Sequence, residues 1–406
     1  MSYDTQLFVN GRGATPRPYG SAQRQILNRA AFAAAQSEIT SWPGYARTPL
    51  ICLPGLAGDV GVTSVWCKHE GARFGLGSFK PTGPTFAMLA VLKAEVQERA
   101  GVEVSTQDLL KGKYAPVTAD IVMSAPTSGN HGRALAWGAR MFGCQAVLYM
   151  NDGVSVGRAA AIEGYGGRVV RVPGAYLQVV TRLYEDADRY GHIVVGDPGT
   201  DRYPLVSRDI MQGYAMVVDE MMAELDPIRP THIFVPGGGG ILAGATAGHL
   251  WEQYGPDRPR LIVVEPTASC CLYESARLGR PVKVDAAVSV MDGLVVEEPA
   301  ADALSLLLDG AFAFLTVPDQ AAIDAIRQAV KPLSDDPPLV IGDTGSAAWA
   351  GLRSIMADAK ARQDLQLDAN SRVAVIVTEG ATDPAVYQSI TQLDPNKMPE
   401  PEAGRG

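Results

Sequence analysis

The sequence contains little cysteine, and its cysteines show no arrangement that binds a metal or forms a bridge. Only 5 of the 406 residues are cysteine, an odd number, and none stands in a Cys-x-x-Cys or Cys/His pattern. We therefore predict neither a disulfide framework nor a metal site. We expect a cytoplasmic location, because the thiols are predicted to be reduced and Met1–Pro18 contains no apolar segment of signal-peptide length.

Charge and long apolar stretches are also scarce. Charged residues make up 19% of the chain, the 44 acidic residues exceed the 35 basic ones, and lysine and arginine form no run, so we expect no nucleic-acid partner. Glycine or a charged residue interrupts every apolar stretch before the roughly 18 residues of a transmembrane helix, so we expect no membrane association. The chain does have 47% hydrophobic residues, enough for the cores of two or three globular domains.

Short runs rich in valine and isoleucine alternate along the chain with amphipathic stretches. Several runs are apolar on both faces, which is typical of parallel strands buried between helices. The predicted strands are Val65–His69, Ile121–Ala125, Ala146–Met150, Arg168–Val172, His192–Val195, Thr231–Val235, Leu261–Val264 and Val373–Thr378. The predicted helices are Thr85–Gln97, His131–Phe142, Val156–Gly164, Leu177–Tyr190, Asp209–Glu224, Leu242–Tyr254, Gln320–Val330 and Ala347–Lys360. This alternation predicts an α/β protein with open sheets covered by helices.

The first segment with recognisable chemistry surrounds Lys80, which follows Phe79 in the glycine-rich stretch Arg73–Gly83, directly before a predicted helix. The N-terminal end of a helix disfavours a cation, so this is an unusual place for a structural lysine and a suitable one for a nucleophilic amine. Taken alone, Lys80 is more simply interpreted as a solvated surface lysine.

Two further segments combine a buried strand, a polar or glycine-rich loop and a helix, an arrangement that binds anions at a positive helix end. The loop Thr127–Arg133 offers hydroxyl and amide groups that suit a substrate carboxylate, although the same residues would serve in a well-capped helix. The loop Gly237–Gly240 allows the backbone to wrap a phosphate. The sequence contains neither the nucleotide P-loop pattern nor the Rossmann pattern with its acidic residue.

The last predicted strand leads to Thr378, and ligands bind at the ends of parallel strands in open α/β sheets. A reactive lysine, a carboxylate loop, a phosphate loop and a hydroxyl at a strand end are together what an enzyme needs to hold pyridoxal 5'-phosphate and an amino acid. We therefore predict this cofactor and a small amino-acid substrate.

These residues resemble those of the fold type II, or tryptophan synthase β-like, family of pyridoxal-phosphate enzymes, and within it the diaminopropionate ammonia-lyases. The matching segments are Lys68–Glu70, Arg73–Lys80, Gly129–Arg133, Ala136–Trp137, Ile210–Tyr214, Val264–Pro266, Cys271–Tyr273, Met291–Leu294 and Thr378–Asp383. The resemblance implies two open-sheet α/β domains: a large cofactor-binding domain of residues 1–84 and 205–406, and a small domain of residues 85–204. It also implies a homodimer.

The C-terminal tail, residues 394–406, contains three prolines and no periodic apolar face. We expect this tail to be disordered.

The resemblance implies that four residues serve the cofactor directly. Lys80 would bind it covalently and remove the Cα proton of the substrate. Phe79 would pack against the cofactor ring, Asn130 would hydrogen-bond the ring hydroxyl, and Thr378 would face the pyridine nitrogen.

The resemblance also assigns the two loops. The phosphate would be bound by Gly237, Gly238, Gly239 and Gly240. The substrate carboxylate would be surrounded by Thr127, Ser128, Gly129 and His131. Ser128 is in addition a candidate second catalytic residue, although a serine is a poor base unless a neighbour activates it.

The sequence departs from the diaminopropionate ammonia-lyase pattern at three places. Ser128 stands where that family usually has an aspartate, Ala175–Leu177 stands where it tends to have Asn-Tyr-Asp, and Asp292 stands where it has an alanine. The resemblance implies α,β-elimination from a small amino acid, with 2,3-diaminopropionate as the leading substrate and pyruvate and ammonia as products. A dehydratase acting on serine, threonine or another hydroxy-amino acid, or a β-replacement synthase of the cysteine synthase type, remains the alternative.

Overall fold

The computed structural model describes residues 3–174, 176–196 and 199–399. The strands in these residues are β1 Gln6–Val9, β2 Leu50–Cys52, β3 Ser64–His69, β4 Val122–Pro126, β5 Gln145–Asn151, β6 Arg168–Val172, β7 Ile193–Val194, β8 His232–Pro236, β9 Arg260–Pro266, β10 Ala313–Val317 and β11 Arg372–Val377. The α-helices are α1 Gly11–Ala14, α2 Ser21–Ile26, α3 Arg29–Thr40, α4 Pro54–Val60, α5 Pro84–Ala100, α6 Thr106–Leu110, α7 Ala115–Thr118, α8 Asn130–Phe142, α9 Val156–Glu163, α10 Tyr176–Tyr190, α11 Val206–Glu224, α12 Ile241–Tyr254, α13 Cys271–Leu278, α14 Ala301–Gly310, α15 Asp319–Ala329, α16 Ala347–Met356, α17 Ala359–Leu365 and α18 Pro384–Thr391. Short 3-10 turns cover Glu70–Gly75, Lys80–Thr82, Gly255–Asp257, Asp292–Leu294 and Pro395–Lys397. Within the described part of the chain, no helix is long and apolar enough to cross a membrane.

The described residues fall into two compact units. The large unit lies within residues 1–31, 46–79 and 214–406, and the small unit lies within residues 32–45 and 80–213. The small unit thus contains the predicted segment 85–204, extends it at both ends and adds residues 32–45. Packing explains this addition: Trp42 lies edge-on against Trp137 and Phe142 of α8, with ring centroids 6.2 and 6.0 Å apart. Residues 32–45 therefore help to form the core of the small unit.

The large unit is built on a seven-stranded sheet in the order β1-β10-β9-β8-β11-β3-β2. The inner strands run parallel, and the short outer strands β1 and β2 pair antiparallel with β10 and β3. Every residue of β8 and β10 is buried, as expected for strands covered on both faces. Because β8 and β11 are parallel neighbours, the residues that follow them emerge at the same edge of the sheet.

The small unit contains a four-stranded parallel sheet in the order β6-β5-β4-β7. The loops that follow β4, β5 and β6 leave at one edge, because the carboxyl ends of parallel strands lie together. Each unit thus has an open sheet with helices, which confirms the predicted α/β class with two open sheets.

A buried network of charges ties α11 to β3 in the large unit. The Glu220 carboxylate accepts hydrogen bonds from Arg73 Nη1 at 2.7 Å, from Arg73 Nη2 at 2.8 Å and from Lys68 Nζ at 2.9 Å. Arg73 also donates two 2.9 Å hydrogen bonds to Glu70. Burial alone would raise the pKa of Glu220, but the hydrogen bonds and positive charges of Arg73 and Lys68 lower it to about 2. The charges are therefore paired in the folded state, and each depends on the others.

Of the tail for which disorder is predicted, residues 394–399 are described. Asp394 caps the turn Pro395–Lys397 by accepting the N–H of Asn396. Residues 400–406 lie outside the described residues.

Candidate active site

Lys80 is the first residue of the segment 80–213 of the small unit, and it begins the turn that leads into α5. The turn is closed by a 3.3 Å hydrogen bond from the Gly83 N–H to the Lys80 carbonyl oxygen. Pro84 fits the first position of α5 because the N–H that proline lacks has no partner there within a helix. Lys80 is half-buried and lies in the turn directly before the N-terminal end of α5.

The imidazole of His131 interacts electrostatically with Lys80. Burial lowers the pKa of His131, the positive charge of Lys80 lowers it further, and it falls to about 4 despite a hydrogen bond to the Val195 carbonyl. His131 Nε2 lies 3.1 Å from that carbonyl oxygen, which only accepts, so we place the ring proton on Nε2. His131 is therefore neutral at physiological pH and adds no positive charge to the site.

The loop Thr127–Gly132, here called the Thr127 loop, presents backbone N–H groups at the start of α8. Thr127 Oγ1 accepts hydrogen bonds from the N–H groups of Gly129 and Gly132, each at 2.9 Å. Gly129 has a φ of +153° and a ψ of −79°, a conformation that favours glycine. Among the described residues, no acceptor is hydrogen bonded to the N–H group of Ser128 or of His131. Two donors at the positive end of a helix form a site for a small anion such as a carboxylate.

The four glycines Gly237–Gly240, here called the glycine loop, connect β8 to α12 in the large unit. The N–H of Gly237 donates to the Val264 carbonyl at 2.8 Å, and that of Gly240 donates to the Gly237 carbonyl at 3.1 Å. In the part of the chain that the structure describes, the N–H groups of Gly238 and Gly239 have no acceptor. Such donors at the start of α12 suit a phosphate.

At three of the four positions, the backbone conformation or a close neighbour in the protein requires glycine. Gly238 and Gly240 have φ values of +61° and +91°, and a Cβ added at Gly237 would lie 2.6 Å from Glu265 Cγ. Gly239 has no positive φ, and the nearest atom to an added Cβ would be Val296 Cγ1, at 3.8 Å. The protein therefore leaves room at Gly239 for a side chain or for a ligand that approaches the backbone.

Thr378 directly follows β11, at the same sheet edge as the glycine loop. Its side chain is 2% exposed, and Oγ1 is buried without a hydrogen-bond partner among the described residues. Leaving a buried hydroxyl unsatisfied is costly, so Oγ1 is suited to a polar atom of a ligand. The Thr378 carbonyl accepts the Phe79 N–H at 3.0 Å, and the Phe79 ring packs against Tyr214 with centroids 4.5 Å apart.

The structure places the predicted site residues in two groups. The small unit carries Lys80, Thr127, Ser128, Gly129, Asn130 and His131, and the large unit carries Phe79, Gly237, Gly238, Gly239, Gly240 and Thr378. Asn130 is the half-buried first residue of α8, and Ser128 is exposed. Of the segment Ala175–Leu177, Ala175 lies outside the described residues and Tyr176 begins α10.

Sequence reasoning gave no role to two residues that touch these groups. Glu265 lies against Gly237 and accepts the N–H groups of Leu272 and Tyr273 at 3.0 and 2.7 Å. Arg158 Nη1 lies 3.4 Å from the Ser128 carbonyl oxygen. The role of Arg158 could have been anticipated from the strand order. Arg158 follows β5, and the loops after the neighbouring parallel strands β4 and β5 meet at one edge of the sheet.

Comparison with protein families gives a match over residues 41–379 to the family described as pyridoxal-phosphate dependent enzyme. The chain belongs to this family. The predicted family and its cofactor, pyridoxal phosphate, are thereby confirmed.

Comparison with individual known proteins identifies the subfamily of this pyridoxal-phosphate dependent enzyme. The diaminopropionate ammonia-lyase of Escherichia coli (strain K12) is 31% identical over 353 residues, which cover 86% of this chain and 87% of that protein. The crystal structure of the holo enzyme from Escherichia coli matches with a TM-score of 0.86 and 28% identity, covering 96% of this chain and 97% of that chain. The structure of the same enzyme in complex with D-serine matches equally well, with the same TM-score, identity and coverage. The chain is a member of the diaminopropionate ammonia-lyase family of pyridoxal-phosphate dependent enzymes.

The residues in place fit the cofactor of this family. The N–H groups of Gly238 and Gly239 would hold its phosphate, and the space over Gly239 leaves room for it. The buried hydroxyl of Thr378 would face the ring nitrogen. The primary amine of Lys80 is the kind of group that condenses with an aldehyde to form a Schiff base.

Replacing Gly239 by aspartate is expected to weaken cofactor binding by at least about tenfold, or ~1.4 kcal/mol. The new carboxylate would place a like charge in the space of the phosphate, whereas the protein itself has room for the side chain. Cofactor retained after dialysis, measured by absorbance, tests this. Gly239→Asn is the matched control, because it adds the same bulk without the charge. Wild-type occupancy in Gly239→Asp would show that the phosphate binds elsewhere.

Proposed function

We propose that the protein catalyses α,β-elimination from 2,3-diaminopropionate, releasing ammonia and the 2-oxo acid pyruvate. The observation that supports this best is the pairing of a half-buried lysine with an anion site in one unit and of a glycine loop with a buried threonine hydroxyl in the other. Membership in the diaminopropionate ammonia-lyase family supports the same reaction.

When bound, pyridoxal phosphate supplies an electron sink that stabilises negative charge at the substrate Cα. Lys80 Nζ accepts the proton from that carbon as general base. The N–H groups of Ser128 and His131 bind the substrate carboxylate and orient the Cα–H bond. His131 stays neutral, so it does not compete with the amides for that carboxylate, and it does not repel the ammonium form of Lys80.

Thr378 influences which reaction follows proton removal. A hydroxyl has a much higher pKa than a carboxylate, so Thr378 Oγ1 does not hold a proton permanently on the ring nitrogen. The negative charge is then less stabilised by the ring, which favours rapid loss of a β-substituent over transamination. Thr378 would have this effect with diaminopropionate and with serine alike.

The leaving group is the point on which the candidate substrates differ. Diaminopropionate carries a β-ammonium group, which an acid close to the site would hold, whereas serine needs no such acid. Asp292 directly precedes Gly293 in the chain. The Gly293 carbonyl oxygen would lie 3.6 Å from a Cβ added at Gly238, so the backbone next to Asp292 lies beside the glycine loop. A position beside the proposed phosphate loop does not by itself favour either substrate. Family membership supports diaminopropionate, whereas the neutral, exposed Ser128 would suit a serine dehydratase.

A panel of L- and D-diaminopropionate and L- and D-serine tests the proposal, with pyruvate and ammonia release as the measurement. We expect diaminopropionate to be the better substrate and the L form to be preferred by at least about tenfold, because Lys80 serves one face of the cofactor and Ser128 is a poor base for the other. Ser128→Asp should shift activity toward diaminopropionate or reduce this preference, because an aspartate would supply a base for the other enantiomer. Faster turnover of serine would favour the dehydratase, and equal turnover of both enantiomers would contradict the assignment of a single base.

We also propose that the protein is a cytoplasmic homodimer. The family resemblance supports the dimer, and the free cysteines support a reducing compartment. Light scattering on the purified protein separates the 43.0 kDa monomer from a dimer of twice that mass.

A further inference from the structure

We propose that Arg158 is a positioning residue of the substrate-carboxylate site, one that locks the Ser128–Gly129 peptide and adds positive charge beside it. The inference rests on the proposed function only in taking the Thr127 loop as the site of the substrate carboxylate.

The position of Arg158 is fixed by the start of α9. Ser155 caps this helix, and its hydroxyl accepts the Arg158 N–H at 3.2 Å. The preceding turn is held from β6, because the Arg171 guanidinium donates to the Val154 carbonyl at 2.8 Å and to that of Asp152 at 3.3 Å. The first turn of α9 is thus tied to its own sheet, and the Arg158 side chain starts from a defined place.

The Arg158 side chain lies along the backbone of the Thr127 loop. A Cβ added at Gly129 would lie 3.3 Å from Arg158 Cδ and 3.6 Å from its Cγ. At its end, Nη1 donates a long hydrogen bond of 3.4 Å to the Ser128 carbonyl oxygen. The stem therefore packs against the glycine, and the guanidinium binds the carbonyl before it.

These contacts hold one peptide group at both of its polar ends. In a trans peptide the C=O and N–H point in opposite directions. The Ser128 carbonyl is bound by Arg158, and the Gly129 N–H of the same peptide is bound by Thr127 Oγ1 at 2.9 Å. The peptide thus has a hydrogen-bond partner at each polar end, in a backbone conformation that favours glycine. The neighbouring N–H groups of Ser128 and His131 are thereby oriented before the substrate arrives.

Arg158 also changes the charge of the site. His131, which the sequence places in the loop itself, is neutral. The guanidinium of Arg158 is permanently charged, and its Nη1 lies beside the Ser128 carbonyl. It therefore favours an anionic group at the loop, which is what an α-carboxylate is.

The test compares two amines that differ only in the carboxylate. Glycine and methylamine both perturb the absorbance of a bound pyridoxal phosphate, and neither has a β-substituent to eliminate. We expect Arg158→Ala to weaken glycine binding by at least about tenfold while changing methylamine binding by less than about twofold. Arg158→Lys, which keeps the charge and loses the planar fork, should show an intermediate loss. Arg140→Ala removes the same charge from the exposed far end of α8 and should change neither affinity.

An equal loss for both amines, or no loss for either, would overturn the inference. If Arg158→Ala does not fold, the comparison is made with Arg158→Lys, for which the same two outcomes decide. Failure of the proposed function is distinguishable, because it would appear in the wild-type enzyme as normal glycine binding without elimination from diaminopropionate or serine.

Discussion

Lys80→Ala is expected to reduce turnover by at least about a thousandfold, because the variant loses the base that takes the Cα proton. The variant should still bind pyridoxal phosphate, since the glycine loop and Thr378 belong to the large unit and do not include Lys80. Its absorbance should change to that of cofactor without a covalent bond to the protein, and reduction with borohydride should no longer attach the cofactor permanently. Millimolar methylamine should restore a small part of the activity, because it replaces the missing amine.

Lys113→Ala is the matched control. Lys113 is an exposed lysine of the small unit, 3.0 Å from Asp108, and its removal should leave turnover unchanged. If purified Lys80→Ala turns over at the wild-type rate, the proposed reaction is wrong at its first step. Loss of turnover without any change in absorbance would instead make Lys80 structural.

Glu220→Ala is expected to lower the free energy of unfolding by about 3–5 kcal/mol, because it leaves the buried charges of Lys68 and Arg73 without their shared partner. Urea unfolding followed by circular dichroism measures this. Glu224→Ala is the control: Glu224 is 3.7 Å from Lys68 and partly exposed, so its loss should cost less than about 1 kcal/mol. A similar effect of both substitutions would contradict the account of the buried network.

The same network predicts how stability depends on pH. The folded-state pKa of Glu220 is about 2, below its ordinary value of 4.5. The contribution of the ionised carboxylate is therefore fully present above about pH 4.5 and is lost as the pH falls through about 2. In Glu220→Gln this part of the acid sensitivity should be absent.

The parallel strands were the most predictable part of the fold. Each of the eight predicted strands corresponds to an observed one, with ends shifted by at most a few residues, because valine- and isoleucine-rich runs bounded by polar turns are a strong local signal. β1 and β2 were not predicted, because they are short outer strands with weak alternation that depend on pairing with distant residues. β10 was not predicted either, because its apolar run does not by itself distinguish a strand from a buried helix.

The candidate site likewise has parts that the sequence predicts and parts that it does not. The Thr127 loop and the glycine loop are consecutive residues, so their composition predicts a binding role directly. Gly239 and Arg158 carry information that appears only in three dimensions: one is a glycine that its surroundings do not demand, and the other is an arginine that reaches a neighbouring loop. The boundary of the small unit likewise depends on the packing of Trp42, which lies far in sequence from Trp137.

The order of strands in the large unit determines when a newly synthesised chain can fold. Among the strands of the described residues β11 is synthesised last, yet it lies between β8 and β3 in the middle of the sheet, and β1 has its partner only after β10 has been made. Until Arg372–Val377 has emerged, the edges of β8 and β3 have no partner, and a nascent chain with open edges and a late, non-local closing step is prone to aggregate. A chain truncated before β11 should therefore fail to fold the large unit, instead of merely lacking its final segment.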